Sequence, residues 1–360
     1  KICLIGGEDV DKRILLSQYL IEAGFEVTIV GTSPKTFPKS INYIPYHLNR
    51  SFSPISDLKT VLWLKQFFKN NHFDLIHTYD TKPAFLVPLS QLKTKTPITR
   101  TVTGLGTIFM SKTFSSAVLR KVYLFLHTFV KNRVYKTIFQ NEDDKELYLK
   151  NHLISKNNSS LILSSGIELK LITQRAKRNN NPFTFICVAR LVYEKGIINL
   201  LEAARIISDK GYSFKYLLVG PLEENSKKLN KEILSQYKDI VDILGSRNDV
   251  LQLLESSDAF VLPTFREGFS RVLLEAAALG LPIVSTNVTG VRDFTRHQKE
   301  AILVEPENSL ALANAMIEIA TNTQLADKLV ENALKHVKLF SLENVSKQYI
   351  TIFNSAINHT

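Results

Sequence analysis

The sequence has 360 residues, 44% of them hydrophobic, which is enough for two domains of ordinary size with sizeable cores. Its net charge is +11, and its apolar runs fall short of the roughly 20 residues that a transmembrane helix needs. Composition therefore excludes a membrane-spanning helix and indicates a folded, basic protein. No secretory signal is visible, and because the sequence starts inside a strand-like run without Met, what precedes Lys1 stays open.

The positive charge is unevenly distributed along the chain. Residues 1–168 contain 22 Lys and Arg against 13 Asp and Glu, a net charge of +9, whereas residues 169–360 contain 23 against 21, a net charge of +2. A basic half beside a nearly neutral half indicates an anionic partner for the first half. Nucleic acid, an anionic membrane and a lipid diphosphate all qualify, and a generally basic proteome would give the same charge.

The chain opens with a predicted βαβ unit. An apolar strand from Ile2 ends in Gly6 and Gly7, a helix is predicted over 11–23, and a second strand over 26–30. The glycine pair is similar to a phosphate-binding loop, but the full G-x-G-x-x-G spacing is missing. Taken by itself, this glycine pair is a weak indication of a ligand.

Further elements of the first half follow the same alternation of strands and helices. They are predicted over residues 41–44 (strand), 57–70 (amphipathic helix), 74–77 (strand), 98–102 (strand), 137–140 (strand) and 142–151 (helix). His77 stands at the carboxyl end of its strand, where open α/β sheets bind ligands, so it is a candidate contact. A structural histidine is an equally good interpretation of the same position.

Residues 112–136 form a basic amphipathic stretch. Its cations are Lys112, Arg120, Lys121, Lys131, Arg133 and Lys136, and its apolar residues include Leu119, Val122 and Phe129. This profile is typical of a helix on a membrane surface. An ordinary core helix with a solvated basic face fits the stretch equally well.

A polar, basic segment over residues 169–182 predicts a linker, and a second series of strands and helices follows it. Strands are predicted over 183–189, 215–219, 239–244 and 258–263, and the tail over 309–356 is helical. Cys3 and Cys187 lie in apolar strand-like runs, which predicts buried thiols, and a reducing compartment, rather than a disulfide.

The stretch over residues 265–276 carries the strongest chemical signal. It joins a buried strand to an Ala-rich helix through Gly268 and Ser270, a glycine for unusual backbone angles and a good N-cap. The N–H groups around Phe269 at such a positive helix end favour an anion, and Arg271 adds a positive charge.

Two glutamates flank this corner. Glu267 stands at the strand end, and Glu275, eight positions later, lies in an apolar helix where a carboxylate is costly unless it is paired. Both can face one ligand bound over the helix N-terminus. A capped helix beside an incidental surface glutamate is the simpler interpretation of these two residues alone.

Together with neighbouring motifs, this spacing resembles that of a known family. The E-x7-E pair and the wording Arg-Glu-Gly-Phe-Ser-Arg-Val-Leu-Leu-Glu resemble the signature of retaining glycosyltransferases of family 4, bacterial O-antigen and capsule transferases among them. The segment Val-Ala-Arg-Leu-Val-Tyr-Glu-Lys-Gly over 188–196 is similar to the phosphate motif of that family. The resemblance covers essentially the whole chain and is strongest over 185–306.

The resemblance implies an α/β fold of two Rossmann-like doubly wound domains that face a cleft, the GT-B arrangement. Residues 1–168 would form the acceptor-binding domain and 183–340 the nucleotide-sugar-binding domain. Residues 169–182 would link them, and the last helix, 341–360, would pack back on the first domain.

It also implies roles for particular residues. Arg190, Lys195 and Glu267 would be catalytic, the two cations on the diphosphate and Glu267 on the donor sugar. Donor-binding residues would be Gly6, Gly7, Gly245, Arg247, Gly268, Phe269, Ser270, Arg271 and Glu275, with Glu275 on the ribose. Many members carry His-Gly where Thr103 and Gly104 stand, so these two and His77 would only position the acceptor or sugar.

The implied reaction is retaining transfer of a sugar from a nucleotide-sugar, UDP-linked, to a glycan on a polyprenyl diphosphate. We expect no cofactor and no metal, because Arg190 and Lys195 already neutralise the diphosphate. The protein would then be a peripheral one at an anionic membrane, on the cytoplasmic face, active in surface polysaccharide assembly.

Three other functions stay open. A sugar-nucleotide epimerase of the same two-domain shape would release epimerised nucleotide-sugar without any acceptor. A non-catalytic partner subunit would bind nucleotide-sugar without turnover. A nucleic-acid binder, suggested by charge alone, would show a steep salt dependence. The intact set of Arg190, Lys195, Glu267 and Glu275 argues against the last two, so we expect no nucleic-acid partner.

Overall fold

The computed structural model of the chain describes residues 1–49, 53–105, 109, 113–174, 181–223 and 228–359. These residues form two compact units, one made of Lys1–Gly166 with Leu342–Thr360 and the other of Ile167–Ser341. Each unit is built on one parallel β-sheet, which confirms the predicted class of two Rossmann-like α/β folds. None of the helices in these residues is long and apolar enough to cross a membrane.

The sheet of the first unit has seven parallel strands in the order β3-β2-β1-β4-β5-β6-β7, within the described residues. They are β1 (Ile2–Ile5), β2 (Val27–Gly31), β3 (Asn42–Pro45), β4 (Leu75–Thr78), β5 (Ile98–Val102), β6 (Lys136–Phe139) and β7 (Ser159–Leu161). Strand β1 lies between β2 and β4, so the order reverses beside it, the position where such folds bind ligands.

Helices cover the first sheet. They are α1 (Ile14–Glu22), α2 (Pro54–Asn70), α3 (Pro83–Ser90), α4 (Phe114–Val130), α5 (Glu142–Lys150) and, from the end of the chain, α12 (Leu342–Asn358). The single helix predicted over 11–23 is divided, because a 3-10 turn over Glu8–Arg13 precedes α1. That turn presses the Val10 side chain against Gly31, where a Cβ would lie only 2.2 Å from it.

The alternation of β1 divides the core of this unit into two layers. Ile2 and Leu4 point to one face and pack with α1 and with Val345 and Phe353 of α12. Cys3 points to the other face, which α2, α3 and α4 cover. Both faces are buried, which explains why the strand is an unbroken apolar run.

The sheet of the second unit has six parallel strands in the order β10-β9-β8-β11-β12-β13, again within the described residues. They are β8 (Thr184–Val188), β9 (Lys215–Val219), β10 (Val241–Gly245), β11 (Ala259–Leu262), β12 (Ile283–Thr286) and β13 (Ile302–Val304). The helices are α6 (Ile197–Asp209), α7 (Lys231–Ser235), α8 (Val250–Glu255), α9 (Arg271–Leu279), α10 (Ser309–Thr321) and α11 (Thr323–Val337).

The core of the second unit lies between the sheet and its helices. Helix α6 contributes an amphipathic stripe that includes Leu200, Leu201 and Ala204, and α10 packs beside it. Both cysteines of the chain are buried free thiols, as predicted, and burial raises the pKa of the Cys187 thiol to about 12. The order of the six strands again reverses at the first strand of the unit, between β8 and β11.

Candidate functional site

The strand–loop–helix corner between β11 and α9 is fixed by a neighbouring turn. The backbone N–H of Phe265 donates to the Glu194 carbonyl oxygen at 2.9 Å, and the Thr264 hydroxyl donates to the same oxygen at 3.3 Å. Glu194 belongs to a 3-10 turn over Tyr193–Lys195, directly before α6. The sequence segments 193–196 and 264–267, about 70 residues apart, therefore form one structure at the carboxyl edge of the sheet.

Gly196 is what allows the two segments to lie so close. It ends the 3-10 turn at φ +67°, in the left-handed region, and a Cβ there would lie 1.8 Å from the Pro263 carbonyl oxygen. Any other residue would both strain the backbone and clash with β11's end. The glycine of the predicted phosphate motif thus serves close packing of two backbones.

Lys195 and Glu267 form an ion pair at this corner. The Lys195 Nζ donates to Glu267 Oε1 over a short distance, and the two side chains are only 17% and 12% exposed. Glu267 is also held by its backbone, since its N–H donates to the Thr289 carbonyl oxygen at 3.0 Å. Gly290 lies beneath it, where a Cβ would be 2.6 Å from the Glu267 carbonyl oxygen. The two residues that the resemblance assigned to different parts of a donor are therefore partners of each other.

The other predicted cations are also paired, but at the surface. Arg190 Nη1 contacts Glu223 Oε1, and the Arg190 side chain is 59% exposed. Arg247 forms a fork with Asp249 at 2.7 and 2.8 Å, two residues after Gly245 ends β10. Exposed ion pairs contribute about 0–1 kcal/mol, so an anionic ligand exchanges with these carboxylates at little cost.

Helix α9 begins as the sequence predicts, with Ser270 at its N-cap position. The Ser270 hydroxyl makes no capping bond within the described residues, so the first-turn N–H groups keep their usual need for an acceptor. The Phe269 ring packs on Phe340 at 5.6 Å between centroids, which fixes the loop beside Gly268.

Glu275 lies one turn into α9, and its side chain is 16% exposed. Burial raises the pKa of Glu275, and the Arg271 guanidinium, whose Nε donates to Glu275 Oε1 at 3.0 Å, opposes that rise. The Arg271 ion pair thus offsets only part of the free-energy cost of burying the Glu275 carboxylate. Such a group gains from a ligand that donates hydrogen bonds to it.

His77 is not available to a ligand, so the candidate contact predicted for it is wrong. Its ring is 0% exposed, and its two nitrogens contact the hydroxyls of Thr99 at 2.7 Å and Thr101 at 3.0 Å. Burial holds the pKa of His77 well below its usual range, so the ring is neutral and both nitrogens are satisfied. The structural interpretation, which the sequence left open, is the one that the geometry supports.

In the first unit a polar cavity of about 240 Å³ lies at the carboxyl ends of the strands. It is lined by Gly7, Glu8, Asp9, Thr32, Leu48, Asp80, Thr81, Lys82, Pro83 and Thr103. The Gly7 N–H, which a phosphate would need, donates to Asp80 Oδ2 at 2.8 Å. Gly6 lies against the same Asp80 oxygen, 3.3 Å from the position of an added Cβ.

This acidic lining disfavours a phosphate at the glycine pair, contrary to the donor-binding role assigned to Gly6 and Gly7. Carboxylates accept hydrogen bonds from hydroxyls, so the cavity suits a sugar. Thr103 lines the cavity, and Gly104 follows at φ +143°, in a conformation that favours glycine. Asp80 is the residue that sequence reasoning missed, although its place in a polar loop after a strand was a usable signal.

An Asp-x-Asp triplet, a pattern that can bind a metal ion, occurs at Asp9-Val10-Asp11 and bears on the expectation that no metal is needed. In the structure Asp9 pairs with Lys12 at 2.9 Å and Asp11 pairs with Lys35 at 2.6 Å, so both carboxylates face cations. No group of three or more potential metal ligands occurs among the residues that the structure describes.

Replacing Gly196 by Ala tests how the corner is built. We expect a loss of about 1–2 kcal/mol for the left-handed backbone and about 1–3 kcal/mol more for the clash with Pro263. Gly211→Ala is the matched control, since Gly211 has φ +84° but open space around its Cβ position. Thermal unfolding of both variants measures the difference, and equal losses in the two would contradict the close-packing role.

The chain is similar to known proteins in both sequence and fold. Glycosyl transferase 4-like proteins match residues 1–141, and Glycosyl transferases group 1 match residues 170–336. Sucrose-phosphate synthase from Thermosynechococcus elongatus has the same fold, with a TM-score of 0.84, 21% identity and coverage of 100% of this chain and 99% of that one. Anabaena HepE in complex with UDP and glucose gives a TM-score of 0.80 at 17% identity, with 99% of each chain covered.

Among sequence relatives, the chain is 25% identical to N,N'-diacetylbacillosaminyl-diphospho-undecaprenol alpha-1,3-N-acetylgalactosaminyltransferase of Campylobacter jejuni, over 89% of this chain and 87% of that protein. It is 26% identical to the Staphylococcus aureus capsular polysaccharide biosynthesis glycosyltransferase CapM, over 95% and 93%. It is also 26% identical to the Escherichia coli UDP-Gal:alpha-D-GlcNAc-diphosphoundecaprenol alpha-1,3-galactosyltransferase, over 77% and 74%.

Two parallel-sheet units and a strand–loop–helix corner with paired acidic and basic side chains define a protein of the GT-B class. The two family matches together span most of the sequence, one in each unit. The chain belongs to the glycosyltransferases that combine a 4-like domain with a group 1 domain, and it is a glycosyltransferase.

Proposed function

We propose that this glycosyltransferase moves a hexose-type sugar from a UDP-sugar to a glycan carried on a polyprenyl diphosphate, with retention at the anomeric carbon and without a metal. The Lys195–Glu267 pair at the β11–α9 corner carries the proposal. The Campylobacter and Escherichia coli relatives are named for transfer to diphospho-undecaprenol acceptors, which supports the acceptor class. The capsular relative supports a role in surface polysaccharide assembly.

In the proposed mechanism the donor diphosphate lies over the N-terminus of α9. It replaces Glu267 as the partner of Lys195 and Glu223 as the partner of Arg190. Negative charge grows on the diphosphate as the glycosidic bond breaks, and both cations stabilise it. Glu267, released from Lys195, accepts hydrogen bonds from the donor sugar, and Glu275 accepts them from the ribose. The ligand thereby offers new charged or hydrogen-bonding partners to Lys195, Arg190 and Glu267, whose ion pairs it breaks.

The polar cavity of the first unit, where Asp80 and Thr103 present oxygen atoms, would bind the acceptor sugar. With retention, the new bond forms on the face that the leaving diphosphate vacates, and a diphosphate oxygen takes the hydroxyl proton. No second catalytic carboxylate is needed, unlike in a glycoside hydrolase.

We also propose attachment to the anionic inner surface of the cell membrane through α4. Its outer face carries Phe114, Phe125 and Phe129, each more than half exposed, and the exposed Lys121 lies one helical turn before Phe125. Two other cations of the basic stretch donate hydrogen bonds to backbone carbonyl oxygens of the same unit. Arg133 donates to the Gln91 and Thr96 carbonyl oxygens at 2.6 Å each, and Lys131 donates to the His152 carbonyl oxygen at 3.0 Å.

A donor panel followed by a transfer assay tests the function. One nucleotide-sugar should raise the melting temperature by mass action, and with a polyprenyl-diphosphate glycan it should yield a product whose anomeric configuration matches the donor. A chelator should leave the rate unchanged. Epimerised nucleotide-sugar released without acceptor would favour the epimerase instead, and activity lost with chelator and restored by a divalent ion would refute the metal-free mechanism.

A further inference from the structure

A groove on the first unit lies outside the site described so far. Helices α2, α3 and α4 enclose about 560 Å³, within the range of pockets that hold small-molecule ligands, about 300–1,000 Å³. Its lining is mostly aliphatic and aromatic: Pro54, Asp57, Leu58, Val61, Thr81, Lys82, Phe85, Leu86, Leu89, Leu119, Val122, Tyr123 and Leu126. Leu58 is 60% exposed and extends the apolar surface of the groove, and a continuous exposed apolar surface of this kind marks an interaction site.

Helix α4 shows that this groove is distinct from the outer face of the unit. Tyr123, His127 and Val130 form a buried stripe, and residues 119, 122 and 126, together with Tyr123, line the groove. The exposed residues Phe125 and Phe129 belong to a third stripe, which does not line the groove. A flat membrane surface would meet the third stripe and would leave the groove accessible to a different ligand.

The groove runs into the polar cavity of the same unit. Thr81 and Lys82 line both, so the two spaces meet at the start of α3. At this junction the Lys82 Nζ contacts Asp57 Oδ1 at 2.5 Å, with side chains only 14% and 12% exposed. The order along the surface is therefore an apolar groove, a partly buried cation, and a cavity rich in hydrogen-bond acceptors.

We propose that the groove holds the isoprenoid chain of the acceptor next to its diphosphate, with that diphosphate at Lys82 and the acceptor sugar in the polar cavity. This inference rests on the proposed function. An amphiphile with an apolar chain, a diphosphate and hydroxyls in that order matches the three regions one by one. The diphosphate would replace Asp57 as the partner of Lys82, because the diphosphate carries more negative charge than one carboxylate.

Binding of two small probes tests the groove without relying on turnover. Farnesyl diphosphate has the chain and the anion, and methyl diphosphate has the anion alone. Wild-type protein should bind the farnesyl probe at least about ten times more tightly, because each buried aliphatic group adds to affinity. The double variant Leu58→Gln/Leu119→Gln should lose that preference and keep its affinity for methyl diphosphate. Lys82→Met should weaken both probes.

The matched control is Phe125→Gln/Phe129→Gln, which makes the same kind of change on the outer stripe of α4. In lipid-free solution it should bind both probes as wild type does. The inference is overturned if wild type binds the two probes equally, or if the groove variant keeps its farnesyl preference. Failure of the transfer assay with normal probe binding would instead count against the proposed function alone.

Discussion

Replacing Lys195 by Ala is expected to lower kcat by about 10²–10³ while the KM for the nucleotide-sugar changes much less. In the proposed mechanism its ammonium group contacts the leaving diphosphate, so its interaction should strengthen between ground state and transition state. Ground-state binding of the diphosphate by the remaining groups, Arg190 and the first turn of α9, would persist. Steady-state kinetics with saturating acceptor measure the two constants separately.

Lys215→Ala is the matched control, because Lys215 also forms an ion pair in the second unit, with Asp242 at 3.2 Å, but on the exposed surface. It should leave kcat and KM unchanged. The role of Lys195 would be refuted by a variant whose KM rises with kcat intact. A fall in melting temperature large enough to unfold the protein at the assay temperature would be visible in the same preparations.

Replacing Glu275 by Gln is expected to weaken nucleotide-sugar binding about 10- to 100-fold, since a hydrogen bond to a charged group contributes about 1.5–3 kcal/mol. The substitution keeps the size of the side chain and removes the charge that the ribose hydroxyls would meet. Isothermal titration with the donor identified by the panel measures the loss. Glu331→Gln, which breaks an exposed i,i+4 pair with Lys335, is the control and should bind as wild type does.

The pH dependence of donor binding gives a second test of Glu275. Burial raises its pKa above the ordinary value of 4.5, so on acidification it gains a proton earlier than an exposed glutamate and loses acceptor capacity. Affinity should therefore fall as pH drops through this raised pKa. Because a raised carboxyl pKa means that the fold disfavours the ionised form, the same protonation does not destabilise the fold. Affinity that is flat in this range would contradict the assignment.

The sequence was most informative where local pattern and tertiary structure agree. Strands over 98–102 and 215–219 were predicted with the bounds that the structure has, because apolar runs of that length fit a sheet covered on both faces. The start of α9 followed from Ser270 and the Ala-rich run after it. These features depend on neighbours in sequence, which is why one sequence suffices to find them.

Pairing between distant residues escaped prediction. Lys195 and Glu267 are 72 positions apart in the sequence, and they meet because Phe265 donates to Glu194 and Gly196 approaches Pro263 closely. His77 illustrates the same limit, because its partners Thr99 and Thr101 come from the adjacent strand. The groove of α2, α3 and α4 arises from three helices whose separate patterns each look like ordinary core packing.

The Lys195–Glu267 pair also bears on how the site treats anions that are not donors. Lys195, Arg190 and Arg271 each form an ion pair with a carboxylate, so inorganic phosphate would have to displace a counter-ion to reach any of these three cations. In the proposed mechanism the sugar hydroxyls of a UDP-sugar would replace the Lys195 ammonium group as the hydrogen-bond donor to Glu267, whereas UDP alone would offer Glu267 no such donor. Glu267 would then compete with UDP for Lys195, and we expect faster product release and weaker product inhibition as a result.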